Sequence, residues 1–135
     1  MYRSKKEINF AETLSSHDLK FETNPSDIIG TPDIFFRDSG VAVFFNGCFW
    51  HSHGCKQRSV NDEWTKRLTD IRANDAEVIT KLSKVGVASL TVWECHWERQ
   101  KHKQVDRIRD FVALTINYGI KSRKSFSNSV TGIVA

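Results

Sequence analysis

Two periods of apolar residues run along this chain, and they predict its helices and strands. Over residues 4–16 the apolar positions fall on one face of a helix. A longer helix is predicted over 61–85, where an apolar stripe recurs about every 3.6 residues and Gly86 follows as a stop signal. A last helix is predicted over 104–118, because its apolar residues are also spaced for one buried face.

Short apolar runs between turn residues predict the strands. The clearest is a hairpin in "TPDIFFRDSGVAVFFNG", where two apolar runs flank the turn sequence "RDSG". A short strand is predicted in "LKFET", and a strong one in "ASLTVWEC", with Cys95 at its end. Residues 47–60 have no regular period and are predicted to form a loop.

The order of these elements predicts the fold class. A hairpin is followed by a long helix and then by another strand, which favours an α/β fold: a mixed β-sheet flanked by helices on both faces. The chain has 135 residues and shows no linker, repeat or low-complexity tract. We therefore expect one domain over residues 1–135, large enough to bury a real core.

Composition narrows the class of protein. Hydrophobic residues make up 39% of the chain and charged residues 27%, which is typical of a soluble globular protein. The longest apolar run, "VAVFF", is too short to cross a membrane, and no signal peptide is evident, so we expect a cytoplasmic protein without a membrane partner. Nothing in the sequence indicates a particular protein partner.

Positive charge is concentrated near the end of the chain. Between residues 99 and 124 there are eight Lys and Arg against two Asp, although the whole chain carries only +4. Either an anionic partner or a solvated helix face would explain this segment. The eight are Arg99, Lys101, Lys103, Arg107, Arg109, Lys121, Arg123 and Lys124.

The stretch "NGCFWHSHGC" brings metal-binding residues together. An odd number of cysteines argues against a disulfide framework. Cys48, Cys55 and Cys95 with one histidine would form a closed, tetrahedral zinc site. Spacing alone leaves open whether His51 or His53 is the fourth ligand. Three buried free cysteines are the alternative.

A Pro-Asp pair opens the predicted hairpin and is the best candidate for a second metal. The carboxylate of Asp33 suits a hard cation such as Mg²⁺, which prefers oxygen ligands. Many nucleases that cut phosphodiesters add an acid and a lysine on the next strand, but "VAVFFNG" contains neither. Either other residues supply the base and the remaining ligands, or Pro-Asp is only a turn device.

Several of these motifs together resemble one family. "GTPDIFF", "FFNGCFWHSHGC", "DEWTKR", "KLSKVG" and "VWEC" are similar to the very-short-patch repair endonucleases (Vsr), in register from about Glu7 to Cys95. The resemblance implies a restriction-endonuclease-like fold with a structural zinc. It also implies a Mg²⁺-dependent enzyme that cuts one strand of double-stranded DNA beside a thymine mispaired with guanine.

The resemblance also implies which residues bind zinc and which act in catalysis. Its zinc ligands match Cys48, His53, Cys55 and Cys95. His51 then matches the general base that activates water, a role suited to an imidazole that titrates near neutral pH.

Three further positions match the family's magnesium site. Asp33 matches the Mg²⁺ carboxylate, with the backbone carbonyl of Phe45 as a second contact. Glu7 matches an acid that acts near the metal through water.

The same resemblance implies DNA contacts. Phe49 and Trp50 match aromatic residues that enter the base stack beside the mismatch, where poor pairing lowers the cost of unstacking. Without the resemblance, both would be expected in the core. Asn46 matches a position of the family's recognition pocket. The basic segment, independently of the resemblance, predicts the phosphate contacts: Lys101, Lys103, Lys121, Arg123 and Lys124.

Departures from the family pattern keep two alternatives open. Only "MYRSKK" precedes Glu7, where the family usually has a longer basic arm, and Phe45 and Asn46 replace residues that are usually Thr and His or Asp. These changes leave the candidate catalytic residues intact but alter recognition elements. A Vsr-like restriction endonuclease that cuts paired DNA is one alternative, and a zinc-stabilised DNA-binding protein without cleavage is the other.

Overall fold

A mixed four-stranded sheet in the order β1-β2-β3-β4 forms the centre of the part of the chain that the structure describes. The structure is a computed structural model, which describes residues 4–48 and 62–125, with side chains as far as Ile116. The strands are β1 (Glu22–Thr23), β2 (Ile34–Phe36), β3 (Val41–Asn46) and β4 (Ala88–Trp93). β2 pairs antiparallel with both β1 and β3, whereas β3 and β4 are parallel.

Helices cover both faces of this sheet. They are α1 (Lys5–Ser16), α2 (Asp62–Lys84), α3 (Glu94–Arg99) and α4 (Lys101–Ser125). None of the helices in the described residues is long and apolar enough to cross a membrane. Gly86 follows α2 with a φ of +82°, a left-handed conformation that glycine adopts without steric cost.

Alternating side chains of the strands enter two separate cores. Ile34 and Val43 pack with Phe10 of α1 and Ile108 of α4 on one face. Neighbouring positions, among them Phe35, face the other way and pack against α2. This alternation follows from the two-residue period of a strand and gives a three-layer α/β/α arrangement.

Strand register brings the candidate site residues to one edge of the sheet. Asn46 at the end of β3 is the partner of Trp93 at the end of β4, so both chains leave the sheet side by side. β2 runs antiparallel to β3 and therefore begins at this same edge, directly after Asp33. We name this the catalytic edge of the sheet, after the role that the sequence predicts for these residues.

Most predicted elements are confirmed. The first helix, the hairpin, the long helix and the last strand are found within about two residues of their predicted bounds, and the mixed α/β class is confirmed. The predicted loop over 47–60 lies outside the described residues except for its first two positions.

Two predictions near the end of the chain are wrong. Cys95 does not end a strand, because β4 stops at Trp93 and Cys95 lies in the first turn of α3. The last helix begins at Lys101 rather than at residue 104. α3 has only six residues, which is too short for a helical period to be visible in the sequence.

Candidate active site

A cleft of about 210 Å³ opens at the catalytic edge, between the start of α1, the loop before β2 and the middle of α2. Three acidic residues line it: Glu7, Asp33 and Asp75. Four neutral polar residues also line it: Thr31, Asn46, Asn74 and Thr91. The rest of the lining is glycine and apolar residues: Gly30, Phe44, Phe45, Val78 and Ile79. The cleft thus combines carboxylates, which can bind a cation, with hydroxyl and amide groups that can bind a phosphate.

Asp33 is held in this cleft by the neighbouring strand. Its Oδ2 accepts a hydrogen bond from the backbone N–H of Phe45, with an N···O distance of 2.7 Å. The side chain of Phe45 is buried on the opposite face of the sheet, where its ring stacks on Phe10 with centroids 4.8 Å apart. This hydrogen bond places the Asp33 carboxylate beside the Phe45 backbone. It involves the N–H, whereas the predicted metal contact is the Phe45 carbonyl, which stays a prediction.

Glu7 has a structural contact as well as a place in the cleft. Its Oε2 accepts a hydrogen bond from the Ser4 N–H at 2.9 Å, and the Glu7 N–H donates to Ser4 Oγ at 3.2 Å. The two residues form a reciprocal capping box that begins α1. The sequence signal is the Ser-x-x-Glu spacing, which identifies Glu7 as a helix cap before any catalytic role is considered.

Asp75 reaches the cleft because it lies on the inner stripe of α2. Half-buried or buried positions recur along this helix at three- or four-residue spacing: Trp64, Leu68, Ile71, Asp75, Val78 and Leu82. The sequence shows Asp75 within the apolar stripe but assigns it no role. Asn74 and Thr91 were not predicted, and only the knowledge that α2 crosses the end of the sheet could have indicated them.

The three acids do not form a ready-made metal cluster. Among residues 4–48 and 62–125, no three His, Cys, Asp or Glu side chains are grouped closely enough to hold one ion together. A cation at Asp33 would therefore depend on backbone oxygen and on water for its other ligands, which is how Mg²⁺ is usually bound.

Two of the four predicted zinc ligands follow neighbouring strands at the catalytic edge. Cys48 and Cys95 are 1% and 5% exposed, and each lies two residues beyond one of the paired strand ends, Asn46 and Trp93. Two buried thiols that follow paired strand ends fit the donor set of a structural zinc site. His53 and Cys55 lie outside the described residues, as do His51, Phe49 and Trp50.

A second groove of about 450 Å³ adjoins the cleft, because Phe45 lines both. Lys101, predicted to contact phosphate, lies here at the start of α4, with its ammonium 5.4 Å from the centre of the buried Trp97 ring. Lys6 also lines the groove and is hydrogen-bonded to Glu94 and Glu98, contacts that raise the pKa of its ammonium above the ordinary value. The positive charge of Lys6 is therefore already balanced by the carboxylates of Glu94 and Glu98.

The other predicted phosphate contacts lie along α4. Lys103 is exposed in the first turn. Lys121, Arg123 and Lys124 fall within the last turns of the helix, beyond the described side chains.

Comparison with known proteins gives a consistent result. A family model described as DNA mismatch endonuclease Vsr matches residues 2–57. The chain is 30% identical over 110 residues to the type II nicking enzyme V.NmeAIP of Neisseria meningitidis, which covers 78% of this chain and 76% of the relative. It is also 35% identical over 86 residues to the type II nicking enzyme V.XorIIP of Xanthomonas oryzae pv. oryzae, an alignment that covers 61% of this chain and 63% of the relative.

The similarity extends to a DNA mismatch endonuclease. The DNA mismatch endonuclease Vsr of Escherichia coli is 29% identical over 93 residues, which is 66% of this chain and 60% of that protein. The chain thus spans between 60% and 76% of the length of these three relatives.

Proposed function

Because the chain belongs to the Vsr family of DNA mismatch endonucleases, we propose that it is a Mg²⁺-dependent endonuclease that nicks one strand of double-stranded DNA beside a T:G mismatch. The observation that best supports this proposal is the cleft at the catalytic edge. It places Asp33, Glu7 and Asp75 together on the side of the sheet where Cys48 leads into the segment "FWHSHGC".

Asp33 would hold the metal in this proposal. Its carboxylate is fixed by the hydrogen bond from the Phe45 N–H. The backbone carbonyl of the same residue, on β3, would be the second contact to the metal. Mg²⁺ bound there would supply charge stabilisation at the phosphate. Glu7 would contact the metal through a bridging water molecule and not directly, because its carboxylate also accepts the hydrogen bond that caps α1.

His51 would take the proton of the attacking water. The water oxygen forms a bond to phosphorus while the bond from phosphorus to the leaving sugar oxygen breaks, so one strand is cut. A histidine can accept a proton near neutral pH, which accounts for catalysis without a lysine on β3.

Recognition would come from the segment between Cys48 and Cys55. Zinc held by Cys48, His53, Cys55 and Cys95 would fix this segment, so that Phe49 and Trp50 can enter the base stack. Asn46 lines the cleft at the start of the segment. Lys101 and Lys103 would contact phosphates outside the cut site, together with Arg123 and Lys124.

A comparison of two matched duplexes tests the activity. We expect Mg²⁺-dependent nicking of one strand in the duplex that carries a single T:G pair, and no cutting of the same duplex with a T:A pair. A panel of sequences around the mismatch is needed, because recognition extends beyond the mispair. Denaturing gels show which strand is cut.

Other results of this experiment support the alternatives. Cutting of both strands in the fully paired duplex would show a restriction endonuclease. Binding of duplexes from the panel without cutting of any of them would show a DNA-binding protein that lacks nuclease activity.

Glu7→Gln separates the two roles of Glu7, the cap of α1 and the proposed contact near the metal. Glutamine also completes a capping box, so we expect the free energy of unfolding to change by less than about 0.5 kcal/mol. Nicking should fall by about 10- to 100-fold, the loss expected for one charge-assisted hydrogen bond.

Ser4→Ala provides the matched control. It removes the cap, at a cost of about 1 kcal/mol of stability, but retains the carboxylate. Below its melting temperature this variant should nick like the wild type. If Glu7→Gln and Ser4→Ala lose activity only in proportion to their loss of stability, Glu7 is a helix cap and has no part in catalysis.

A further inference from the structure

Thr31 adopts a backbone conformation that is costly for its residue type. Its φ is +43°, in the left-handed region, where a β-branched side chain is a genuine outlier. It also precedes Pro32, whose ring restricts the backbone of the residue before it. Thr31 lines the cleft that contains Asp33.

The surrounding loop holds Thr31 in this conformation. The Thr31 N–H donates to the carbonyl of Ile28 at 3.0 Å, and Pro32 on its other side is buried. Gly30 packs so closely on α2 that a Cβ placed there would lie 2.4 Å from Val78 Cγ1. The strain is therefore maintained by contacts on both sides of the residue.

Glycine would be the least costly residue if only the backbone shape mattered. It adopts positive φ without a steric penalty, and the preceding residue is already glycine. The presence of threonine in a strained conformation at the cleft indicates that the side chain itself is used. Strained residues of this kind concentrate at functional sites.

We propose that the Thr31 hydroxyl contacts the DNA substrate by donating a hydrogen bond to a backbone phosphate in the cleft. This inference rests on the proposed function, because it assumes a DNA strand at Asp33. Ionised carboxylates cannot donate a hydrogen bond, so the neutral hydroxyl and amide groups on the cleft walls are the ones suited to hold a phosphate oxygen. Thr31 lies two residues before Asp33, and both residues line the same cleft.

Three substitutions at this position separate strain from contact. Thr31→Val keeps the branched shape but removes the hydroxyl, so nicking and DNA affinity should each fall about tenfold or more. Thr31→Ser keeps the hydroxyl and should nick within about threefold of the wild type. Thr31→Gly relieves the strain, so its urea midpoint should rise while its nicking falls as in Thr31→Val.

Asp18→Gly is the matched control. Asp18 also has a positive φ, +61°, but lies at the end of α1 and lines a groove that does not include the catalytic edge. We expect a higher urea midpoint and unchanged nicking. This variant shows that relief of a left-handed conformation alone does not reduce activity.

The experiment measures urea unfolding, nicking of a T:G duplex with Mg²⁺, and affinity for the same duplex in EDTA. Thr31→Val that binds and cuts like the wild type, or Thr31→Gly that unfolds at lower urea, would overturn the inference. If the wild type cuts no duplex, the proposed activity fails instead. The affinities in EDTA still test the contact of Thr31 with DNA.

Discussion

Asp33→Asn should reduce nicking by about 10³-fold or more and leave the fold intact. The amide oxygen of asparagine can still accept the hydrogen bond from the Phe45 N–H, so the junction of β2 and β3 keeps its geometry. The substitution removes the negative charge, and a hard divalent cation then loses its anionic ligand on the strand. A thousandfold decrease in the nicking rate corresponds to a loss of about 4 kcal/mol of transition-state stabilisation.

Two further variants isolate the charge. Asp38→Asn makes the same chemical change on the exposed turn of the same hairpin, and we expect no effect on nicking or stability. Asp33→Ala also leaves the Phe45 N–H without its acceptor, so it should be destabilised by about 1–3 kcal/mol and be as inactive as Asp33→Asn.

Single-turnover nicking at increasing Mg²⁺ concentrations, together with thermal unfolding, checks this prediction. The defect of Asp33→Asn should persist at the highest Mg²⁺ concentration. Nicking within tenfold of the wild type would show that Asp33 is a structural acceptor at the start of β2 and that the metal, if used, is bound elsewhere.

The elements that sequence analysis located are those whose pattern repeats. The stripe of α2 and the hairpin around "RDSG" are long enough for their periods to be unambiguous, and both are confirmed. α3 lacks this redundancy, because it has only six residues and begins directly after β4. Its first residue, Glu94, forms an ion pair with Lys6 of α1, a tertiary contact that no local pattern shows.

The cleft was only partly predictable for a related reason. Asp33 and Glu7 could be proposed from motif resemblance, but their proximity depends on how α1 lies against the start of β2. Asn74 and Thr91 enter the cleft through the crossing of α2 over β4 and leave no signal in their own neighbourhood. The left-handed backbone of Thr31 is likewise a property of the folded loop.

Cys95→Ser should eliminate zinc binding and, with it, stable folding. Cys48 and Cys95 follow the partner residues Asn46 and Trp93 by two positions each, and both are almost fully buried. A structural zinc site supplies about 10–16 kcal/mol of apparent binding free energy, comparable to the entire stability of a domain of this size. A serine hydroxyl preserves the volume but is a poor zinc ligand.

The alternative interpretation predicts a much smaller effect. If Cys48 and Cys95 are small buried side chains without a metal, replacing one thiol should cost about 1–3 kcal/mol. Metal analysis of purified wild type should then show no zinc. Zinc content and thermal unfolding of the wild type, Cys48→Ser and Cys95→Ser therefore decide between the two interpretations.

The two histidines of the segment provide a matched pair for the same question. His53→Ala should behave like Cys95→Ser, because it removes a zinc ligand, so that zinc content, stability and DNA binding fall together. His51→Ala should retain one zinc per chain and normal stability and DNA affinity, while nicking falls by about 10²- to 10⁴-fold through loss of the general base. Zinc content is the decisive measurement, since both variants are expected to be inactive. Loss of zinc in His51→Ala, with zinc retained in His53→Ala, would show that the two roles are exchanged in this chain.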